Sequence, residues 1–206
     1  PDQITPIRLG VDQSYFKPSP DIARVSNRLL TTASADVPLK GLVHLVHAYK
    51  ALLDEHPDLE LRVIGKLREG PTYDLIQSLG LRDKITFKSG LSRDALAREF
   101  CEATIAVTPS LYEGFGLPAA EAMSCGAPVI VTDGGALPEV AGEAGIIVPK
   151  GDPKALQTAI SGLLTNPKKR ENIARACAER AADQFNWSKI APIYTQIFRE
   201  EIERTC

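Results

Sequence analysis

Glu113 and Glu121 stand with seven residues between them, and that interval carries two glycines and a proline. Gly114 and Gly116 follow the first carboxylate at once. Pro118 comes next and opens a helix-forming run. The apolar run Ala103–Val107 precedes the stretch and Val129–Val131 follows it, so the order reads strand, Gly-rich turn, helix, strand. Proline suits the first helical turn, where its missing N–H costs nothing. The backbone N–H groups of Gly116 and Leu117 then point out of the helix start, which is a site for phosphate. Glu113 is expected in the loop beside it and Glu121 in the first turn. Either carboxylate could instead merely complement the helix dipole, an effect of ~0.3–1 kcal/mol. The surrounding strand and turn favour the ligand role.

Other candidates fall after other strands. Strand and helix signals alternate along the whole chain, which predicts an α/β, doubly wound, Rossmann-like parallel sheet. Strands are expected over 29–33, 59–64, 85–88, 105–108, 129–132 and 146–148. Helices are expected over 73–79, 93–102, 153–164 and 168–182, with a first helix opening at Lys40-Gly41 and a last one at Asn186-Trp187-Ser188. In open α/β sheets ligands bind outside the carboxyl ends of the strands. Lys40 follows the first strand, and a cation at a helix start calls for a compensating anion. Gly65 follows the second strand, either as a plain turn glycine or to let backbone approach a ligand closely. Ser89, Gly90 and Leu91 follow the third, as an ordinary turn or as part of the site. Tyr112 and Phe115 could simply pack. This clustering predicts one cleft holding a phosphate-bearing ligand.

Composition bounds the rest. The chain has 206 residues, 44% of them hydrophobic, and a formal net charge of −2. Charges of both signs are interspersed with no basic stripe, which argues against nucleic acid as a partner. No apolar run approaches the ~20 residues needed to span a bilayer. The four cysteines, Cys101, Cys125, Cys177 and Cys206, are scattered in a way that fits neither a zinc site nor a disulfide framework. A reducing cytoplasm is the simplest setting. No Asp-x-Asp pair and no His/Cys cluster is present, so neither a metal nor a cofactor is expected. His44, His47 and His56 read as structural or solvent-facing. The chain begins at Pro1 and its one methionine is Met123, so it is expected to be a fragment.

The stretch from Glu113-Gly-Phe-Gly-Leu-Pro-Ala-Ala-Glu121 through Ala-Met-Ser-Cys-Gly-Ala-Pro128, followed by Gly134-Gly135 and Pro138-Glu139, resembles the Glu-x7-Glu motif of the group 1 retaining glycosyltransferases of the GT-B fold. Gly10-Val11-Asp12, Phe16 and Pro18 resemble the segment that enters that fold's second half. The resemblance implies the C-terminal, donor-binding half of an enzyme that moves a sugar from a nucleotide-diphosphate sugar to an acceptor hydroxyl. It implies that Glu113 meets the sugar near the reacting carbon. Backbone amides of Gly114, Phe115, Gly116 and Leu117, with Lys40, are implied to cradle the diphosphate. Glu121 would accept the ribose hydroxyls, and Ser89–Leu91 would read the base. The chain departs from the family between Ala33 and Lys40, where an arginine is expected and Asp36 is found nearby. Lys66, Arg68 and Arg8 are the candidate substitutes.

The same resemblance implies an inter-domain segment over 1–20, the donor domain over 21–184, and a C-terminal helix over 185–206 that packs on the missing N-terminal half. That half is then the partner, and the fragment is inactive without it. A membrane-peripheral place for the full-length enzyme is the alternative to a purely cytoplasmic one. The alternative functions are a non-catalytic nucleotide-binding module and half of a GT-B phosphorylase or epimerase.

Overall fold

In the computed structural model, which describes residues 5–33 and 37–205, six parallel strands form one sheet in the order β3-β2-β1-β4-β5-β6. The strands are β1 (Arg28–Thr32), β2 (Glu60–Ile64), β3 (Ile85–Lys88), β4 (Ile105–Thr108), β5 (Val129–Thr132) and β6 (Ile146–Val148). Between them run α1 (Leu42–Leu52), α2 (Pro71–Ser78), α3 (Arg93–Glu102), α4 (Leu117–Ser124) and α5 (Leu137–Ala141). Helices α6 (Pro153–Leu164), α7 (Pro167–Gln184) and α8 (Trp187–Thr205) complete the chain. β1 pairs on one side with β2 and on the other with β4, Leu29 opposite Leu61 and Ile105. The strand order reverses between β1 and β4, and in such sheets the crevice outside that reversal is where ligands bind.

Both sheet faces are covered, and β4 and β5 are buried along their whole length. That is why they read as unbroken apolar runs rather than alternating ones. Leu45, Val46 and Tyr49 of α1, Ile76 of α2 and Leu156 and Ile160 of α6 fill one side. Phe100 of α3, Ala119, Ala122 and Met123 of α4, Val140 of α5 and Cys177 and Ala181 of α7 fill the other. The chain runs from the end of β4 into α4, which sets the start of α4 at the sheet's carboxyl edge. Ser92, Asp152 and Asn166 cap α3, α6 and α7 with their side-chain oxygens, as Ser, Asp and Asn do best. Beneath α3, Arg62 and Lys88 of the sheet donate to the two oxygens of the buried Glu99, at 2.8 and 2.6 Å. Burial works to raise the Glu99 pKa, but the hydrogen bonds from Lys88 and Arg62 outweigh it and hold the carboxyl below its ordinary value.

Residues ahead of β1 belong to this core. Val11 N–H donates to Phe185 at 2.7 Å, and Phe16 meets Phe100 edge-on at 6.3 Å. On α8, Ile190 is buried, while Ile193 and Phe198 are 46% and 62% exposed. Trp187 lies against Gly10, and Tyr194 stands between Trp187 and Phe198.

β3, β4, β5, β6, α3 and α6 have the expected bounds, and β1, β2, α2 and α7 shift by one or two residues. The second helix starts at Pro71, since proline is well placed in a first turn and extends it beyond Tyr73. Two short elements were not expected: α5 and a 3-10 turn over Pro38–Lys40. Each is too short to show a period in sequence. Cys101, Cys125 and Cys177 are buried free thiols. Ser34, Ala35 and Asp36, where the expected arginine is lacking, and Cys206 lie outside the described residues.

Candidate functional site

The chain leaves β4 through Pro109–Glu113, and the surrounding backbone grips this loop from both sides. Leu111 N–H donates to Leu39 at 2.8 Å. Gly41, which caps α1 with φ 64°, has the Pro109 carbonyl where a Cβ would stand. From the other side the Thr132 hydroxyl donates to the Ser110 carbonyl, and Ala136 N–H donates to the Glu113 carbonyl at 3.0 Å. Gly135, with φ 66°, has that same carbonyl in the place of its missing Cβ. The short helix α5 therefore has a role: its start holds the Glu113 backbone.

Gly135→Ala is expected to destabilise the fold by about 1–3 kcal/mol, through left-handed strain and the clash with Glu113. A thermal melt should show a loss of ~2–10 °C for a chain of this size. Gly162 in α6 has open space around its missing Cβ. Gly162→Ala should instead raise the melting point, because alanine suits a helix interior.

Side chains complete the arrangement. Lys40 Nζ donates to Glu113 Oε1 at 2.6 Å and Ser110 Oγ donates to the same oxygen at 2.9 Å. The Lys40 and Glu113 side chains are 32% and 11% exposed. The anion that the dipole argument requires beside Lys40 is thus Glu113 itself. Sequence reasoning assigned the two to different parts of a ligand and did not foresee their contact. Ser110, buried at 1% exposure, was missed as an individual residue.

After Glu113 the chain passes through Gly114 and Phe115 to Gly116, which caps α4. Phe115 turns its ring to Phe185, edge-on at 5.9 Å. Tyr112 is 61% exposed. Among the described residues, nothing hydrogen-bonds the N–H groups of Gly114, Phe115, Gly116 and Leu117. Four successive open donors at a helix start suit a phosphate group.

Glu121 corrects one expectation. It is the fifth residue of α4, and the first turn holds no acidic residue, because the helix begins only at Leu117. Dipole complementation falls off within the first turn and does not account for this carboxylate. Burial pushes its pKa up to about 7, opposed by the nearby positive charge of Arg93. Among the described residues, no group hydrogen-bonds its carboxylate. Arg93 itself was missed. It is the first residue of α3, pairs with Asp12 at 3.3 Å and lies over the Tyr15 ring at 5.7 Å. Its only sequence signal was its place directly after the Ser92 cap.

The remaining candidates share the same edge of the sheet. Gly65 N–H donates to the Lys88 carbonyl at 2.7 Å, closing β2 onto β3. Ser89 and Gly90 are exposed, Leu91 is half-buried, and Gly90 turns the chain with φ 70°. Lys66 and Arg68 lie exposed in the loop after β2. Arg8 donates to the Gln184 side chain, and both line a cavity with Gly114 and Phe115. That cavity, of about 680 Å³, is bounded by Arg8, Phe115, Glu139, Lys189 and Ile193 among others, and it includes neither Lys40 nor either site glutamate.

Comparison with known proteins covers almost the whole chain. Residues 21–180 match the family model described as glycosyl transferases group 1. The chain is 40% identical to the MMP alpha-(1->4)-mannosyltransferase of Mycolicibacterium hassiacum, over 99% of this chain and 50% of that protein. It superposes on sucrose-phosphate synthase from Thermosynechococcus elongatus with a TM-score of 0.83 at 28% identity, covering 96% of this chain and 52% of the other. On HepE from Anabaena, solved in complex with UDP and glucose, the TM-score is 0.83 at 21% identity, covering 94% and 56%. The chain spans about half the length of the curated relatives it matches.

Proposed function

The chain belongs to the glycosyl transferases of group 1, and from that premise we propose that it is the donor-binding half of a retaining enzyme, which moves a hexosyl group from a nucleoside-diphosphate sugar to an acceptor hydroxyl. The observation that carries this reading is the Glu121 carboxylate, half-buried and, among the described residues, without a hydrogen-bond donor, one turn behind four open backbone N–H groups. A ribose offers two hydroxyl donors to such a carboxylate, and a diphosphate offers acceptors to the N–H groups. The spacing along α4 sets ribose and diphosphate in their order in a nucleotide.

In this reading the bond from the sugar carbon to the diphosphate breaks as negative charge gathers on the leaving phosphate. Groups already aimed at the place where charge develops are the strongest source of catalysis. Here the Gly114–Leu117 amides are such groups, and the Lys40 ammonium adds its charge once the donor is bound. Glu113, beyond the phosphate, faces the positive charge that builds on the sugar ring. Acceptor-binding groups come from the other half of the full-length protein, and the exposed faces of Ile193 and Phe198 on α8 are the surface it covers. The mannosyltransferase relative makes a mannosyl donor the first to try. Among the described residues, no helix is long and apolar enough to cross a membrane.

A thermal-shift screen of nucleoside diphosphates and nucleotide sugars tests the reading. A ligand at ~100 times its Kd should add ~2.7 kcal/mol, and EDTA should leave that gain intact. No shift with any nucleotide would rule out the donor site, and a gain abolished by EDTA would show that the diphosphate charge is met by a metal instead of Lys40.

A further inference from the structure

We propose that Lys40 is shared between Glu113 and the donor's diphosphate, so that filling the phosphate subsite draws the ammonium away and releases Glu113 to the sugar. This rests on the donor-site reading above. Three observations carry it. Lys40 Nζ is bonded to Glu113 Oε1 at 2.6 Å, so the cation and the carboxylate that the donor-site reading assigns to phosphate and to sugar are paired with each other in the unliganded chain. The two backbones are fixed to each other through Leu39 and Leu111, and Ala136 and Gly135 hold the Glu113 carbonyl, so the adjustment falls to the side chains. Ser110 Oγ also donates to Glu113 Oε1. The carboxylate therefore keeps one donor after Lys40 leaves and is not stranded.

The consequence is a competition. The unliganded site satisfies Lys40 internally, and a diphosphate must break that pair before it gains the charge. Lys40 then acts as a positioning residue for Glu113 in the empty site and as a phosphate ligand in the loaded one. A nucleoside diphosphate pays for the exchange without a sugar to engage the freed carboxylate, whereas the nucleotide sugar recovers the contact.

Calorimetry on the 206-residue chain with GDP, UDP and ADP separates this from a static pair. Glu113→Gln keeps the size and the Ser110 bond but gives up the charge. It should bind nucleoside diphosphate about three- to tenfold more tightly than the native chain, the range expected for releasing one partly buried ion pair. Lys40→Ala should erase that gain when the two changes are combined. Unchanged or weaker binding by Glu113→Gln, with native binding present, overturns the proposal alone. Absence of any binding by the native chain overturns the donor-site reading and this proposal with it. A measurement on the native chain gives an independent check. The Lys40 side-chain NMR signal should move on adding the diphosphate and not on adding the nucleoside, and a Lys40 signal indifferent to the diphosphate overturns the proposal.

Discussion

Replacing Glu113 with glutamine in the full-length enzyme should lower kcat by roughly 10²- to 10³-fold, the loss typical for a group aimed at transition-state charge. The substitution leaves the backbone grip from Ala136 and Thr132 in place, so the protein should fold normally. What disappears is a negative charge that matters more as the sugar gains positive character. An interaction that strengthens toward the transition state shows in kcat and not only in KM. The same change is expected to tighten the binding of nucleoside diphosphate. A variant that binds product better and turns over far more slowly would be hard to explain by general damage. Normal kcat with weakened nucleotide binding would mean that the roles of Glu113 and Glu121 are reversed.

Glu121 should show the second large effect. A hydrogen bond to a charged carboxylate is worth ~1.5–3 kcal/mol, so Glu121→Ala should weaken nucleoside diphosphate binding by very roughly ten- to a hundredfold. Its pH dependence gives a sharper test. Burial holds its pKa at about 7, well above the ordinary carboxylate value. In the folded chain the protonated form is therefore favoured, and the ionised form above pH 7 stands as a cost to the fold. That cost shrinks as pH falls from about 7 toward the unfolded-state value and is absent below it. Glu121→Gln should thus stabilise the unliganded chain at about pH 8, by on the order of 1–3 kcal/mol, and do nothing near pH 4. Binding that needs the ionised carboxylate behaves oppositely. Affinity should fall about tenfold between pH 8 and pH 6, with proton release on binding at pH 7. The diphosphate itself titrates near pH ~6, and Glu121→Gln serves as the control that retains only that component. A flat difference between the two chains would leave Glu121 without a ligand role.

The parts of this fold that were legible in the sequence are those with long, regular signals. The buried strands β4 and β5, the caps Ser92, Asp152 and Asn166, and the glycine-proline turn into α4 each leave a mark within a few consecutive residues. The site's own contacts do not. Lys40 and Glu113 lie 73 positions apart and meet only because β1 and β4 are neighbours in the sheet. Ser110 and Thr132 are joined across β4 and β5 in the same way. Arg93 acts on Glu121 from a different helix, and a lone arginine at a helix start carries no pattern. The Glu121 position was off by a fraction of a turn because the helix start, set by Gly116, decides whether a residue feels the dipole or is buried behind it. The five residues of α5 show no period, yet the amide of its cap, Ala136, holds the Glu113 loop.

A crystal structure of the 206-residue chain with a bound nucleoside diphosphate tests the central claim most directly. The account predicts phosphate oxygens on the N–H groups of Gly114–Leu117, the ribose hydroxyls on Glu121, and the base beside Ser89–Leu91. Nucleotide seated instead in the 680 Å³ cavity bounded by Arg8, Glu139 and Lys189, with Glu121 untouched, would overturn it.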